Sequence, residues 1–157
     1  MHLLDLLSPG RVKANIVTRG KKRLLEQLSA LLAEGADGES ERGVYDSLCG
    51  RERLGSTGLG HGVAIPHGRS TRLATATGAF LRLAEPVDFN APDGQPVDLV
   101  FALVVPEHFA QQHLMLLSNL AEMFGDEGLR QRLRQAPDSA ALYALLLDWQ
   151  AAHPAAA

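Results

Sequence analysis

Residues 97–105 (VDLVFALVV) form an almost uninterrupted apolar run that is rich in β-branched side chains. A run of this length and composition is typical of a β-strand that is buried on both faces. Pro106 follows the run and ends it. Because such a strand needs packed structure on both sides of its sheet, this segment favours a layered fold.

Helical and extended patterns alternate along the rest of the chain. The predicted strands are residues 12–18, 74–83 and 97–105, and the predicted helices are residues 21–34, 40–52, 111–124, 128–135 and 139–149. A turn is expected after the second strand, either at Glu85-Pro86 or at residues 91–94. These elements predict a single α/β layered domain over residues 1–157, with its core at about 4–150 and a central mixed β-sheet flanked by helices. The order of the strands stays open.

The helix at residues 111–124 has a predicted inward face. The apolar side chains assigned to this face are Leu114, Leu117, Leu120, Ala121 and Phe124. In the second helix, Ser40 is the predicted N-cap, and Val44 and Leu48 are predicted to face the core.

Composition and charge exclude several classes of function. The chain has 15 Lys and Arg against 18 Asp and Glu, a net charge of −3, whereas nucleic-acid binding needs a concentrated basic surface. Its single cysteine, Cys49, excludes an intrachain disulfide and a zinc site built from several cysteines. The longest apolar runs, 99–105 and 140–147, are far shorter than the roughly 20 residues that span a bilayer. Residues 1–10 lack the basic start of a signal peptide, so we expect a cytoplasmic protein without membrane insertion or a nucleic-acid partner.

A glycine-rich segment, residues 55–68, breaks the periodic patterns. It contains five glycines and Pro66, which stiffens the chain just before His67. Glycine has the most backbone freedom to lose on folding, so such a segment indicates a tight turn or a close approach to another group. Successive backbone N–H groups in a loop of this kind form a concave nest for an anion. The pattern therefore predicts a loop that presents His67 for phosphate chemistry.

The common phosphate-binding motifs are absent from this segment. It has no Gly-x-x-x-x-Gly-Lys-[Ser/Thr] pattern, and Val63 occupies the position where the dinucleotide-binding fingerprint needs its third glycine. No lysine and magnesium-binding carboxylate cluster of the kinase type accompanies it, so we do not expect ATP to be used. The histidines His61, His67, His108 and His113 lack an acidic or cysteine ligand at zinc-site spacing, so we expect no metal.

Residues 51–68 (RERLGSTGLGHGVAIPHG) closely resemble the signature of fructose/mannitol-type enzyme IIA domains of the bacterial phosphoenolpyruvate-dependent phosphotransferase system. The resemblance extends to residues 111–114 (QQHL), which open a later helix, and to the order of elements over most of the chain. The match is specific because it fixes an arginine, a Ser-Thr pair, four glycines and a Pro-His pair together.

This resemblance implies a role for five residues. His67 would be the phosphoacceptor, carrying the group on Nε2 as tele-phosphohistidine; His113 would be the second active-site histidine and Arg51 the neighbouring basic group. Ser56 and Thr57 are candidate hydroxyl donors to the phosphoryl oxygens. The resemblance implies no cofactor.

Structural alternatives remain open for several of these residues. Without the motif, His67 would be an ordinary loop histidine and His113 a helix-surface or half-buried polar residue. Arg51 is also placed to cap the helix that ends near it, and Ser56 and Thr57 are also suited to stabilise turns.

Within the family, the chain is most similar to the free-standing, nitrogen-related regulatory branch. That resemblance implies phosphoryl transfer from an HPr-like carrier, and regulation of other proteins, such as potassium-transport or sensor-kinase systems, by the phosphorylation state. The alternative is a sugar-transport IIA component that passes its phosphoryl group to a IIB protein. A third, more distant hypothesis is an interaction module that keeps the fold without being phosphorylated.

Overall fold

The computed structural model describes residues 3–154, apart from the side chain of Leu4. Within this range the chain forms one six-stranded sheet, five α-helices and two short 3-10 helices, Leu3–Leu6 and Pro9–Arg11. The strands are β1 (Val12–Ile16), β2 (Gly58–Gly60), β3 (Val63–Ala64), β4 (His67–Ser70), β5 (Thr77–Val87) and β6 (Val97–Pro106). The helices are α1 (Lys21–Ala33), α2 (Glu41–Glu52), α3 (Ala110–Phe124), α4 (Glu127–Gln135) and α5 (Ser139–Ala152). No helix among these residues is long and apolar enough to cross a bilayer.

The strands form a mixed sheet in the order β1-β5-β6-β3-β2, with β4 also paired to β6. β5 and β6 are antiparallel, whereas β1 runs parallel to β5, and both β3 and β4 run parallel to β6. The central mixed sheet predicted from the sequence is therefore confirmed.

Strand β6 contributes side chains to a core on each face of the sheet. Leu99, Phe101, Leu103 and Val105 belong to the core that also contains side chains of α3, α4 and α5. Val100, Ala102 and Val104 belong to the core that contains side chains of α1 and α2. Burial on both faces was the prediction for this strand, and it is confirmed. Helices therefore cover both faces of the sheet, as an α/β fold requires.

The helix at Glu41–Glu52 begins as the sequence predicts. The Ser40 side chain accepts a hydrogen bond from the backbone N–H of Gly43 at 3.0 Å, which satisfies one of the free donors of the first turn. Val44 and Leu48 are fully buried against the sheet, as predicted.

Strand β5 extends further than predicted, because it runs through Pro86 to Val87. The pairing of β5 with β6 shifts in register between Arg82 and Val87, and a proline is tolerated where a ladder is irregular. Of the two predicted turn positions, the second is therefore correct: the N–H of Gly94 donates to the carbonyl of Ala91 at 2.9 Å.

The glycine-rich segment is more ordered than the loop predicted from the sequence, because it contains three short strands. β3 and β4 pair with consecutive stretches of β6, with Val63 opposite Leu99 and His67 opposite Leu103. Between them, the carbonyl of Pro66 accepts a hydrogen bond from the N–H of Leu103 at 3.1 Å. The segment therefore follows β6 as an interrupted strand. This pairing uses backbone groups, so a side-chain pattern dominated by glycine does not indicate it.

Helix α3 buries a different face from the one predicted. Leu120 and Phe124 are buried as expected, but Leu114 is 67% exposed and Ala121 is also exposed. The buried residues of α3 are His113, Leu116, Leu120, Met123 and Phe124. Four consecutive apolar residues at 114–117 fit more than one helical stripe, so apolar spacing alone does not define the inward face.

The close packing of β4 against α2 predicts a large effect of one substitution. A Cβ added at Gly68 would lie 2.1 Å from Oγ and 2.9 Å from Cβ of Ser47 in α2. We expect Gly68→Ala to lower the free energy of unfolding by about 1–3 kcal/mol, because strand and helix must separate to admit the methyl group. Chemical denaturation measures this change.

Gly50 in the same helix provides the matched control. A Cβ added there meets no atom within 4 Å. Gly50→Ala should therefore raise the free energy of unfolding by up to about 1 kcal/mol through helix propensity. Equal stability of Gly68→Ala and the wild type would contradict the packing described here.

Candidate functional site

His67 is the first residue of β4, and its side chain faces α3. The opposite face of this strand is turned towards α2, since the missing Cβ of Gly68 points at Ser47. Side chains alternate along a strand, so His67 and Arg69 share the face towards α3. The sequence predicted a loop that presents His67, but the residue lies in a strand and only 8% of it is exposed.

One nitrogen of the His67 ring is fixed by the backbone. Nδ1 lies 2.7 Å from the carbonyl oxygen of Ile65, which only accepts hydrogen bonds, so Nδ1 carries the hydrogen. Nε2 has no hydrogen-bond partner within residues 3–154, and it is not among the fully buried unpartnered atoms. The neutral ring therefore keeps a free lone pair on Nε2 that remains open to solvent.

His113 lies in the first turn of α3, beside His67. The two ring centroids are 5.2 Å apart, and the ring planes meet at 80°. His113 is 4% exposed, and its Nε2 is buried without a hydrogen-bond partner among the described residues. A buried polar nitrogen without a partner is costly in a folded protein, so it indicates a site that a polar ligand group completes.

Both imidazoles are neutral near pH 7. Burial, with smaller contributions from the nearby His67 and Arg69, lowers the pKa of His113 to about 4. Burial is also the main reason why the pKa of His67 is lowered, although its hydrogen bond to Ile65 opposes this effect. The charges of Arg51 and Arg69 lower the pKa of His67 as well, so its Nε2 lone pair is available for attack at neutral pH.

The low pKa of His113 predicts a pH dependence of stability. The unfolded chain takes up this proton near pH 6.5, whereas the folded chain does so only near pH 4, so stability should fall as the pH drops between these values. A shift of this size corresponds to a loss of up to about 3 kcal/mol in the free energy of unfolding. Denaturation series at several pH values should show a smaller loss for His113→Gln than for the wild type. Parallel curves for the two proteins would contradict the buried, neutral state of His113.

Arg51 lies in the last turn of α2, as predicted, and its charge acts on His67. One of its guanidinium nitrogens, Nη1, donates to the carbonyl of Gly55 at 2.9 Å. Gly55 lies three residues beyond the end of α2, so this bond holds the segment after the helix and does not cap the last carbonyl groups of the helix. The other guanidinium nitrogens make no hydrogen bond within residues 3–154.

The hydroxyl groups of Ser56 and Thr57 bond to protein groups rather than standing free as phosphate donors. Ser56 Oγ donates to the carbonyl of Phe89 at 3.1 Å and accepts from the N–H of Gly58. Thr57 Oγ1 donates to the carboxylate of Glu52. Local contacts of this kind, with Gly58 for Ser56 and with Glu52 for Thr57, agree with the turn-stabilising alternative considered from the sequence, whereas the bond from Ser56 to Phe89 joins distant segments.

The predicted nest of free backbone N–H groups is also not formed as expected. The N–H groups of Thr57 and Gly58 donate to side-chain oxygens of Glu52 and Ser56. The N–H of Ile65 donates to the carbonyl of Thr57 at 3.0 Å. The glycines have a different use here: Gly60 and Gly62 adopt φ angles of +91° and +78°, which glycine tolerates best, in the turn between β2 and β3.

Sequence reasoning missed two charged residues of this site, Arg69 and Glu52. Arg69 is exposed, and it acts electrostatically on both histidines from the position two residues after His67. Assigning residues 67–70 to a strand would have placed Arg69 on the same face as His67. Glu52 is buried at the end of α2, within the motif that the sequence analysis quoted.

No group of three or more His, Cys, Asp or Glu side chains in the described part of the chain is arranged to hold a metal ion. The polar groups that act on His67 are instead the imidazole of His113, the guanidinium groups of Arg51 and Arg69, and the carboxylate of Glu52. Arginine and histidine donors of this kind suit a phosphoryl group.

Comparison with known proteins identifies the family. The family described as "Phosphoenolpyruvate-dependent sugar phosphotransferase system, EIIA 2" matches residues 5–149. The chain belongs to this family. A nitrogen regulatory protein of Pseudomonas aeruginosa is 43% identical to it over 150 residues, covering 96% of this chain and 97% of the relative.

Solved structures of EIIA proteins share the fold. The nitrogen regulatory protein IIA-Ntr of Neisseria meningitidis superposes with a TM-score of 0.86 at 43% identity, covering 90% of this chain and 97% of that one. The mannitol enzyme IIA of Escherichia coli, solved in complex with phosphorylated enzyme IIB, superposes with a TM-score of 0.74 at 20% identity, covering 90% and 97%. The EIIA fold predicted from the sequence resemblance is therefore confirmed.

Proposed function

We propose that this EIIA protein is a phosphoryl-accepting regulator of the nitrogen-related phosphotransferase system, and that it takes its phosphoryl group from the phosphohistidine of an HPr-like carrier. The observation that carries this proposal is the state of His67. Its Nδ1–H is fixed on the carbonyl of Ile65, which leaves a lone pair on Nε2, and its ring lies against that of His113, whose buried Nε2 has no partner among the described residues.

The reaction is a direct transfer between two histidines. The Nε2 lone pair of His67 attacks phosphorus, a new N–P bond forms, and the N–P bond on the carrier histidine breaks. That nitrogen takes back the bonding electron pair, and no proton leaves Nε2 of His67 because none is bound there. The phosphorylated ring gains positive character, which the hydrogen bond from Nδ1 to the carbonyl of Ile65 stabilises.

Charge stabilisation comes from donors around the ring. Arg51 retains free guanidinium nitrogens for phosphoryl oxygens, and Arg69 shares the face of the strand with His67. The buried Nε2 of His113 has no hydrogen-bond partner among the described residues and is available to a phosphoryl oxygen. The first turn of α3 has no side-chain cap, so its N–H groups favour a negative charge nearby. Phosphoryl transfer depends mainly on such positioning and electrostatics.

The carrier must approach His67 closely. Exposed apolar residues that could contact it follow Arg51 and His113 in the sequence. Leu54 is 83% exposed shortly after Arg51, and Leu114 and Met115 are exposed directly after His113. Exposed apolar side chains mark a contact surface where they form a contiguous patch. We infer that they form a shallow docking surface, which chemical-shift mapping with the carrier should locate around residues 51–68 and 113–115.

The regulatory assignment rests on the nitrogen-regulatory relatives, which are 43% identical to the chain over nearly its whole length. By that likeness, its phosphorylation state regulates partner proteins, such as potassium-transport or sensor-kinase systems. The sugar-transport alternative has weaker support, because a fructose-specific EIIABC component of Bacillus subtilis is 30% identical to the chain and the mannitol enzyme IIA is 20% identical.

An intact-mass experiment tests the proposal. The purified protein is incubated with phosphoenolpyruvate, enzyme I and an HPr-like carrier, and its mass is measured before and after mild acid treatment. We expect one added phosphoryl group that acid removes, as is usual for phosphohistidine. No adduct, or an acid-stable one, would overturn the proposal.

Adding a sugar-specific IIB protein separates the two candidates, since only a transport component should lose the phosphoryl group to it rapidly.

A further inference from the structure

The transfer reaction proposed above does not use the buried carboxylate of Glu52. Glu52 ends α2, and only 5% of its side chain is exposed. A buried carboxylate destabilises a protein unless charged and hydrogen-bonding groups surround it. Its partners are therefore informative about what the residue does.

Both oxygens of this carboxylate have partners. Oε2 forms an ion pair with Nζ of Lys21, the first residue of α1, at 2.8 Å. Oε1 accepts hydrogen bonds from the N–H of Thr57, at 3.0 Å, and from the Thr57 hydroxyl. The Lys21 ammonium also lies 4.5 Å from the centre of the Phe89 ring, which further restricts it.

The contacts continue from Thr57 to the phosphoacceptor. The carbonyl of Thr57 accepts the N–H of Ile65 at 3.0 Å. The carbonyl of Ile65 in turn accepts the Nδ1–H of His67 at 2.7 Å. A continuous path of polar contacts therefore joins the start of α1 and the end of α2 to the nitrogen opposite the nucleophile.

We propose that Glu52 and Thr57 are positioning residues for His67, holding Ile65 so that its carbonyl selects the tautomer with the lone pair on Nε2. The role assigned here rests on the proposed function, because it concerns the same acceptor. It also gives Thr57 a different task from the phosphate contact expected from the sequence. Lys21 neutralises Glu52, which would otherwise repel a phosphoryl group on the nearby ring.

The direct test measures the ring itself. Thr57→Val removes one hydroxyl at nearly constant volume, and Glu52→Gln removes the charge of the carboxylate. Long-range ¹⁵N–¹H spectra report which nitrogen of His67 carries the proton. We expect both variants to populate the other tautomer, with Thr57→Ser restoring the wild-type spectrum. Unchanged tautomer populations in folded Thr57→Val would overturn the proposal, even if Glu52→Gln failed to fold.

Transfer kinetics provide the second readout. Misplacing a reacting group by a fraction of an ångström to 1 Å costs up to about 100-fold in rate, so kcat for phosphoryl acceptance should fall by roughly 10–100-fold in Thr57→Val. KM for the carrier should not change, because the docking surface is intact. A change confined to KM would contradict positioning.

Ser56→Ala is the matched control. Ser56 carries the neighbouring hydroxyl, but its bonds go to Phe89 and Gly58, outside the path to His67. It should leave the tautomer and kcat unchanged, and an effect equal to that of Thr57→Val would overturn the proposal. If the wild type accepts no phosphoryl group, the proposed function fails, whereas the tautomer measurement still decides the positioning role.

Discussion

Replacing His67 with alanine should abolish phosphoryl acceptance completely. The variant loses the only nitrogen in the described site that combines a free lone pair, solvent access and a fixed tautomer. In the proposed reaction the imidazole itself forms the covalent bond to phosphorus, so neighbouring donors should not replace it. Incubation with the complete donor system followed by intact-mass measurement should show no adduct at any time.

The loss must be separated from unfolding. His67 is mostly buried, so the stability of His67→Ala should be measured alongside its phosphorylation. His108→Ala is the control, because this exposed histidine lies outside the pair and its ring contacts Phe109. The control should be phosphorylated like the wild type. A folded His67→Ala protein that still accepts an acid-labile phosphoryl group would place the acceptor elsewhere.

Replacing His113 with alanine should slow phosphoryl acceptance by about 10²–10³-fold, the usual effect of removing one preorganised donor from a charged transition state. The acceptor itself remains, so the final adduct should be unchanged. Stopped-flow or quenched transfer from the phosphorylated carrier measures the rate.

The contribution of His113 should appear in kcat rather than in KM, since 4% exposure leaves little surface for contact with the carrier. His113→Gln offers an amide N–H at a similar distance and should recover part of the rate. Equal rates for His113→Ala and the wild type would show that the unpartnered Nε2 of this residue does not bind the phosphoryl group.

The sequence predicts the layers of this fold well because hydrophobic periodicity determines them. Two features can be read from a short stretch of sequence: the burial of Val97–Pro106 on both faces and the N-cap at Ser40. The glycine-rich segment carries no such periodicity, since its strands are defined by backbone pairing with β6. This is why a loop was predicted where the structure has strands.

The site is only partly accessible to sequence reasoning. Resemblance to a family brings His67 and His113 together, although they are 46 positions apart (113 − 67), and the structure places their rings in contact. The contacts of Glu52 and the shared face of His67 and Arg69 depend on where α2 ends and on the pleat of β4. Local composition does not encode these relations, so they emerge only from the three-dimensional arrangement.

Strand β4 is paired along its length with β6, a deeply buried strand of the sheet, and it packs without space against α2. A backbone clamped in this way has little freedom to respond when a group is attached to its first side chain. The modified and unmodified proteins should therefore have nearly the same shape. A partner would then distinguish them by up to two added negative charges on a surface patch that otherwise carries arginines. Phosphorylation would therefore be recognised through its charge, while the fold that holds His67 stays rigid.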